Sequence, residues 1–158
     1  DEKWVPTFPN ARYLFGRTEW EHWSDKNHPQ KRGEDIIGDS VKPIVDAGLA
    51  DLVDSDHKIT DEIWLEPTPG HTPGHVSVRI SSQGENALIT GDFMHHPCQM
   101  ARPDWRSSAD YDGEWAEKTR NELLKQYADQ PVLVIGTHFA TPTAGHILRD
   151  GDVYRFKV

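Results

Sequence analysis

Thr68-Pro69-Gly70-His71-Thr72-Pro73-Gly74-His75 is the stretch on which the fold of this chain turns. His71 and His75 are four residues apart, a spacing that on a helix would set both imidazoles on one face. Two prolines and two glycines forbid that helix. Proline has no amide hydrogen to donate and its ring fixes φ, while glycine loses more backbone freedom on ordering than any other residue. The segment therefore reads as a loop, stiffened by Pro69 and Pro73 and able to approach a ligand closely at Gly70 and Gly74. Such a loop can hold one imidazole rigidly. We take His71 as that imidazole and His75 as the residue that orients the loop.

On either side of this loop the pattern favours short strands. Leu52-Val53, Lys58-Ile59-Thr60 and Ile63 to Leu65 precede it as β-rich pieces. Val76 to Ile80 alternates in polarity, Ser81 to Asn86 reads as a turn, and Ala87 to Thr90 as a strand that runs into Gly91-Asp92. Val132 to Ile135 is a continuous apolar run, predicted to be a strand covered on both faces, and it ends in Gly136-Thr137-His138. Asp112 to Ala128 carries a helical apolar stripe, and Gly145 to Val158 reads as a hairpin turning at Asp150-Gly151. Nearer the start, Arg12 to Gly16 is expected as a buried strand, followed by a helix capped by Thr18 with Trp20 and Trp23 on one face. Ser24 to Gly38 reads as a loop, and Ser40 to Ala47 as a second helix that admits Pro43 in its first turn and stops at Gly48. With no internal repeat, the whole of 1–158 is expected as one mixed α/β (α+β) domain.

Three ligand-type side chains fall at the ends of predicted elements: His71 before the strand from Val76, Asp92 after Thr90, and His138 after Ile135. Imidazole and carboxylate are the donors expected for zinc or another first-row divalent ion where thiolates are lacking. The single cysteine, Cys98, excludes a thiolate-rich site and any internal disulfide. His95 and His96 follow Asp92 directly, and one of them is expected to line a substrate pocket, for which we choose His95. Trp105, in the same stretch, is expected at the pocket wall, and His146, on the returning strand, at the substrate or on the hairpin surface. Cys98 and Met100 are expected to pack under the loop after Asp92, and Trp20, Trp23 and Trp115 in the core. His22, His28 and His57 read as surface residues.

A formal net charge of -9 without a block of lysines and arginines argues against nucleic acid and anionic membrane as partners. No apolar run approaches the roughly 18 residues of a membrane-spanning helix, and the start has no signal pattern. A soluble, cytoplasmic protein is expected.

Taken together, Gly70-His71-Thr72-Pro73-Gly74-His75, then Thr90-Gly91-Asp92, then Gly136-Thr137-His138 resemble the metallo-β-lactamase superfamily, in the branch that holds acyl-homoserine lactonases and methyl-parathion-type hydrolases. Met94-His95-His96-Pro97, Ala101 to Trp105 and His138 to His146 extend the likeness, which covers the chain from about Trp4 onward. It implies the second half of an αββα sandwich. It also implies that His71 binds a first metal, His138 a second, and that Asp92 bridges both, with a hydroxide held between two divalent ions as nucleophile. Zinc is the implied metal, with manganese, iron or cobalt as alternatives. An aspartate at position 92, where some β-lactamases carry cysteine, points to ester, lactone or phosphotriester substrates rather than penicillins.

The family's His-x-His-x-Asp-His motif, which supplies most remaining ligands, does not occur in the sequence. The chain is therefore expected to be the C-terminal portion of the domain, beginning just downstream of that motif. Two functions follow from this resemblance. One is a hydrolase, acting on small-molecule esters or lactones, whose metal site is completed elsewhere. The other is a silent fragment or subunit whose exposed sheet face binds a partner chain or a second copy.

Overall fold

The computed structural model describes residues 3–25 and 37–158. One compact unit ends at Asp54 and a second comprises Ser55–Val158. Among the described residues no helix is long and apolar enough to cross a membrane.

In the first unit, β1 (Tyr13–Gly16) pairs in parallel with β2 (Ala50–Val53), Tyr13 opposite Ala50. The Arg12 guanidinium ties the two strands together, donating to the Gly48 carbonyl at 2.7 Å and pairing with the Asp51 carboxylate. Between the strands lie α1 (Arg17–Trp23), a π-helical turn (Ile37–Val41) and α2 (Lys42–Asp46), in which Pro43 sits in the first turn where its missing N–H is not needed. Gly48 follows with φ +68°, the left-handed conformation that ends a helix.

Three expectations here are corrected. β1 belongs to a two-stranded sheet and is not buried, with Leu14 41% exposed. Thr18 lies inside α1 and does not cap it, because the strand runs straight into the helix and Gly16 takes the cap position without a side-chain bond. Trp20 and Trp23 are half-buried rather than core, since α1 buries no residue fully. Most of the expected loop over 24–38, with His28, lies outside the described residues.

The second unit is built on a six-stranded sheet in sequential order: β3 (Ile63–Pro67), β4 (Val76–Ser82), β5 (Glu85–Ile89), β6 (Val132–Ile135), β7 (Ala144–Asp150) and β8 (Val153–Lys157). Every neighbouring pair is antiparallel except β5 and β6. A parallel pair requires a crossover, and the segment between β5 and β6 supplies it with α3 (Cys98–Ala101) and α4 (Gly113–Tyr127). Asp112 caps α4, its carboxylate accepting from the amides of Glu114 and Trp115, both at 3.0 Å. The helix buries Ala116, Thr119, Arg120, Leu123, Leu124 and Tyr127, which recur at i, i+3, i+4, i+7, i+8 and i+11. Its leucines and Tyr127 form the core with Leu88, Val132, Val134 and Ile147 of the sheet, Met100 of α3, and Phe93, Met94 and Phe139 of the loops.

Trp115 stands one residue off the buried stripe and is 40% exposed, not core. Ala116 is the residue of that turn that is buried. β6 is likewise not covered on both faces: Val132 and Val134 point to α4, while Leu133 is 38% exposed. Cross-strand register aligns Ile63, Ile80, Ala87 and Leu133 in one row, and Leu65, Val78, Ile89 and Ile135 in the next. Strand alternation puts these aliphatic rows on the face away from the core. The β4–β5 turn shrinks to Gln83-Gly84, both with positive φ, so β5 starts at Glu85. Of the Lys58–Thr60 segment only an isolated bridge from Lys58 to Trp64 forms.

Gly70 lies under the start of α4. A Cβ there would come within 2.3 Å of the Ala116 nitrogen, and its φ is +127°. Gly84, at φ +86°, has nothing within 4 Å of that position. Gly84→Ala is expected to cost about 1–2 kcal/mol, the left-handed backbone penalty alone. Gly70→Ala is expected to cost clearly more, because backbone must also move. Urea unfolding of the two variants measures the difference.

Candidate metal centre

The sheet topology brings three chain segments to one edge. Because β5 and β6 run in parallel, their C-terminal ends emerge side by side, carrying Asp92 and His138. Because β4 runs antiparallel to β5, the loop that enters β4 stands at the same edge, carrying His71.

Buried polar contacts fix each segment. The fully buried Thr68 hydroxyl lies 2.8 Å from His75 Nδ1 and 3.2 Å from the Ser77 hydroxyl, which donates to the Thr90 carbonyl at 2.8 Å. His75 Nε2 accepts from the Asp92 amide at 2.8 Å. That acceptor role leaves the hydrogen on Nδ1, which also reaches the Thr68 carbonyl at 3.0 Å. His75 therefore clamps the loop before β4 to the end of β5, the orienting role expected of it. Gly91 permits this approach, since a Cβ at that position would lie 2.7 Å from His75 Nε2. Thr90 joins the remaining pair of ends: its hydroxyl accepts from the Thr137 amide at 3.1 Å and donates to the Gly91 carbonyl at 2.9 Å. The loop of His71 is held against α4 from outside, by Thr119 donating to the Pro69 carbonyl at 2.6 Å and the Asp112 amide to the Gly70 carbonyl at 3.0 Å.

The result is a convergence on Asp92. His71 Nε2 lies 3.4 Å from one of its oxygens, Oδ2, and His138 Nε2 lies 3.1 Å from the other, Oδ1. The His95 ring stands 5.1 Å from that of His71 and stacks on that of His138 at 4.9 Å and 19°. One donor atom each from His71, Asp92 and His95 lie within 4.8 Å of one another. Two imidazoles and a carboxylate gathered this closely are a donor set that suits a divalent cation.

A family profile, that of the metallo-beta-lactamase superfamily, matches residues 1–138. The chain belongs to the metallo-beta-lactamase superfamily. No curated protein matches it. Among solved structures it is similar to the hydrolase AbOPH of the beta lactamase superfamily, with a TM-score of 0.84 at 24% identity over 99% of this chain and 57% of that one. It is also similar to AidC, described as a dizinc quorum-quenching lactonase, with a TM-score of 0.79 at 24% identity over 97% of this chain and 58% of that one. An N-acyl homoserine lactone hydrolase with N-hexanoyl-L-homoserine bound aligns with a TM-score of 0.62 at 22% identity over 85% of this chain and 50% of that one. The chain thus spans little more than half the length of these proteins, and the likeness concerns the fold.

In this member of the metallo-beta-lactamase superfamily the remaining sequence candidates separate. Trp105 is 51% exposed, and its carbonyl accepts from the buried Gln99 side chain at 2.8 Å. Gln99 in turn accepts from the His95 amide at 2.7 Å, so one amide side chain joins the His95 turn to Trp105. His146 is on β7 and lines a separate hollow of about 310 Å³ with Asp129, Gln130, Pro131, Leu148, Lys157 and Val158, none of which belongs to the cluster around Asp92. Met100 is fully buried and Cys98 partly so.

Two residues escaped the sequence reading. The Asp110 side chain, 1% exposed, accepts from His71 Nδ1 at 3.1 Å and from the Ser107 amide at 3.0 Å. Arg120, fully buried on α4, faces it at 3.7 Å and also donates to the carbonyls of Phe93 and Pro103, both at 3.1 Å. Nothing marks Asp110 in a run of charged and small residues, and Arg120 reads as an ordinary polar position on a helix. Asp110 fixes the His71 tautomer: with hydrogen on Nδ1, the Nε2 lone pair faces Asp92. Burial opposes the charge on Asp110, but hydrogen bonds from His71 and Ser107, with the Arg120 charge, outweigh it and hold its pKa below the ordinary carboxylate value. Burial, reinforced by the neighbouring His71, lowers the pKa of His95.

A carboxylate with a lowered folded pKa stabilises the fold above its unfolded value, near pH 4, and loses that contribution as pH falls through the folded one. Asp110→Asn strands the buried Arg120 charge and is expected to cost on the order of 3 kcal/mol at pH 7. Urea unfolding from pH 7 to pH 3 should show this difference narrowing below about pH 4.

Proposed function

We propose that this chain forms part of a metal-dependent hydrolase of esters, lactones or phosphotriesters, with His71, Asp92 and His138 as ligands to divalent ions. The observation that carries the proposal is the division of the Asp92 carboxylate, one oxygen toward His71 and the other toward His138. This is the arrangement a carboxylate needs to bridge two cations. Bound divalent ions would supply a nucleophile from water near neutral pH and polarise the oxygen of the scissile group.

The protein's own residues prepare that chemistry. Asp110 aims His71, His75 holds the Asp92 backbone, and Thr90 keeps the His138 turn beside Asp92. Trp105 would wall the substrate side. Zinc is favoured by the imidazole–carboxylate donor set and by AidC, described as a dizinc enzyme. Lactone substrates are favoured by the lactonases among the structural neighbours. Since the His-x-His-x-Asp-His pattern does not occur within the 158 residues, the proposal includes further donors supplied from outside them.

Asp92→Asn is expected to lower turnover of an aryl ester or an acyl-homoserine lactone by at least about 100-fold, because a neutral amide bridges two cations poorly. His71→Ala should lower the zinc content measured by mass spectrometry of the metal. Retained turnover in the first variant, or unchanged stoichiometry in the second, would remove the basis of the assignment.

A further inference from the structure

We propose that His95 is itself a metal ligand, completing with His71 and Asp92 a three-donor site contained in Ser55–Val158. The inference rests on the reading of His71 and Asp92 as ligands and adds a residue that the sequence had placed at the substrate.

The distances carry it first. Zinc ligands at roughly 2.0–2.1 Å in tetrahedral geometry stand about 3.3 Å apart, and His71 Nε2 to Asp92 Oδ2, at 3.4 Å, is already such an edge. The His95 donor lies within 4.8 Å of both. Closing that gap takes a shift of about 1–1.5 Å at the ring edge, within the range of a modest χ rotation.

The hydrogen bonds of the histidines carry it further. Both ring nitrogens of His75 are engaged in the fold, with Thr68 and the Asp92 amide. His96 is exposed, and its Nδ1 accepts from the Cys98 amide at 3.1 Å. His95 differs: its Nδ1 is buried and has no hydrogen-bond partner among the described residues. A buried polar atom left without a partner is costly, and such atoms in native folds commonly mark an ion or a functional site. Meanwhile the backbone of His95 is fixed by Gln99, so the ring is held at the centre without being used to build the loop. His138, on the other oxygen of Asp92, is left to serve as an added donor or to hold a second ion.

The test uses the full chain stripped of metal with a chelator and titrated with Co²⁺, followed by visible absorption. Wild type is expected to take up Co²⁺ stoichiometrically. His95→Gln should weaken the binding at least tenfold and shift the visible bands. His95→Cys should retain binding and add a thiolate-to-cobalt charge-transfer band, a signature that a change in stability alone cannot produce. If His95→Gln binds as wild type and His95→Cys gains no such band, while His71→Ala loses affinity, His95 is not a ligand and the assignment of His71 and Asp92 stands. If wild type takes up no Co²⁺, the three-donor site falls while the proposed function, which includes donors from outside these residues, stands; if His71→Ala binds Co²⁺ unchanged, both inferences fall.

Discussion

A single imidazole holds the centre of this molecule together. His75 spends one nitrogen on Thr68, at the start of its loop, and the other on the amide of Asp92, at the end of a strand. Each of those groups is buried or partly buried, where a lost partner costs far more than a surface bond returns. The bond between loop and strand end therefore behaves as a constraint rather than as one contact among many. Gly91 has no side chain because the imidazole occupies that space. With this clamp in place, His71 is delivered to the carboxylate on the next turn of the chain.

Around the clamp the fold uses charge in two ways. Arg120 and Asp110 form a buried pair, which contributes little net stability by itself but places a carboxylate behind His71. That placement selects a tautomer and turns a lone pair toward the cluster. On the open side, Asp92 and His138 remain accessible, and the imidazole and the carboxylate face each other at 3.1 Å. A buried and neutralised rear with an exposed front is what a site needs if it is to bind a cation and still admit a substrate.

Much of the architecture was legible in the sequence because its signals are local. The Gly136-Thr137-His138 end of an apolar run, the C-terminal hairpin, whose turn falls at Gly151-Asp152 rather than at Asp150-Gly151, and the α4 stripe all depend on spacing within a few residues. Most of the errors share one cause: burial is a property of neighbours. Leu14 and Leu133 sit in apolar runs yet lie exposed, and Trp115 is displaced from the core by one position on a helix wheel. Thr18 has the chemistry of a cap, but the chain had already entered the helix one residue earlier.

By itself the sequence determined which side chains could act as donors, and that His71, Asp92 and His138 each follow or precede a strand. Proline and glycine decided this locally, by forbidding a helix between residues 68 and 75. Only the tertiary structure decided that β5 and β6 run in parallel, so that their ends share an edge, and that Asp110, Gln99 and Arg120 stand behind the site. Asp110 lies 39 residues from His71 and Arg120 lies 27 from Phe93, and no short-range pattern encodes a contact made through a crossover. Whether a histidine orients a loop or faces a cation is settled by which of its nitrogens the fold has already used.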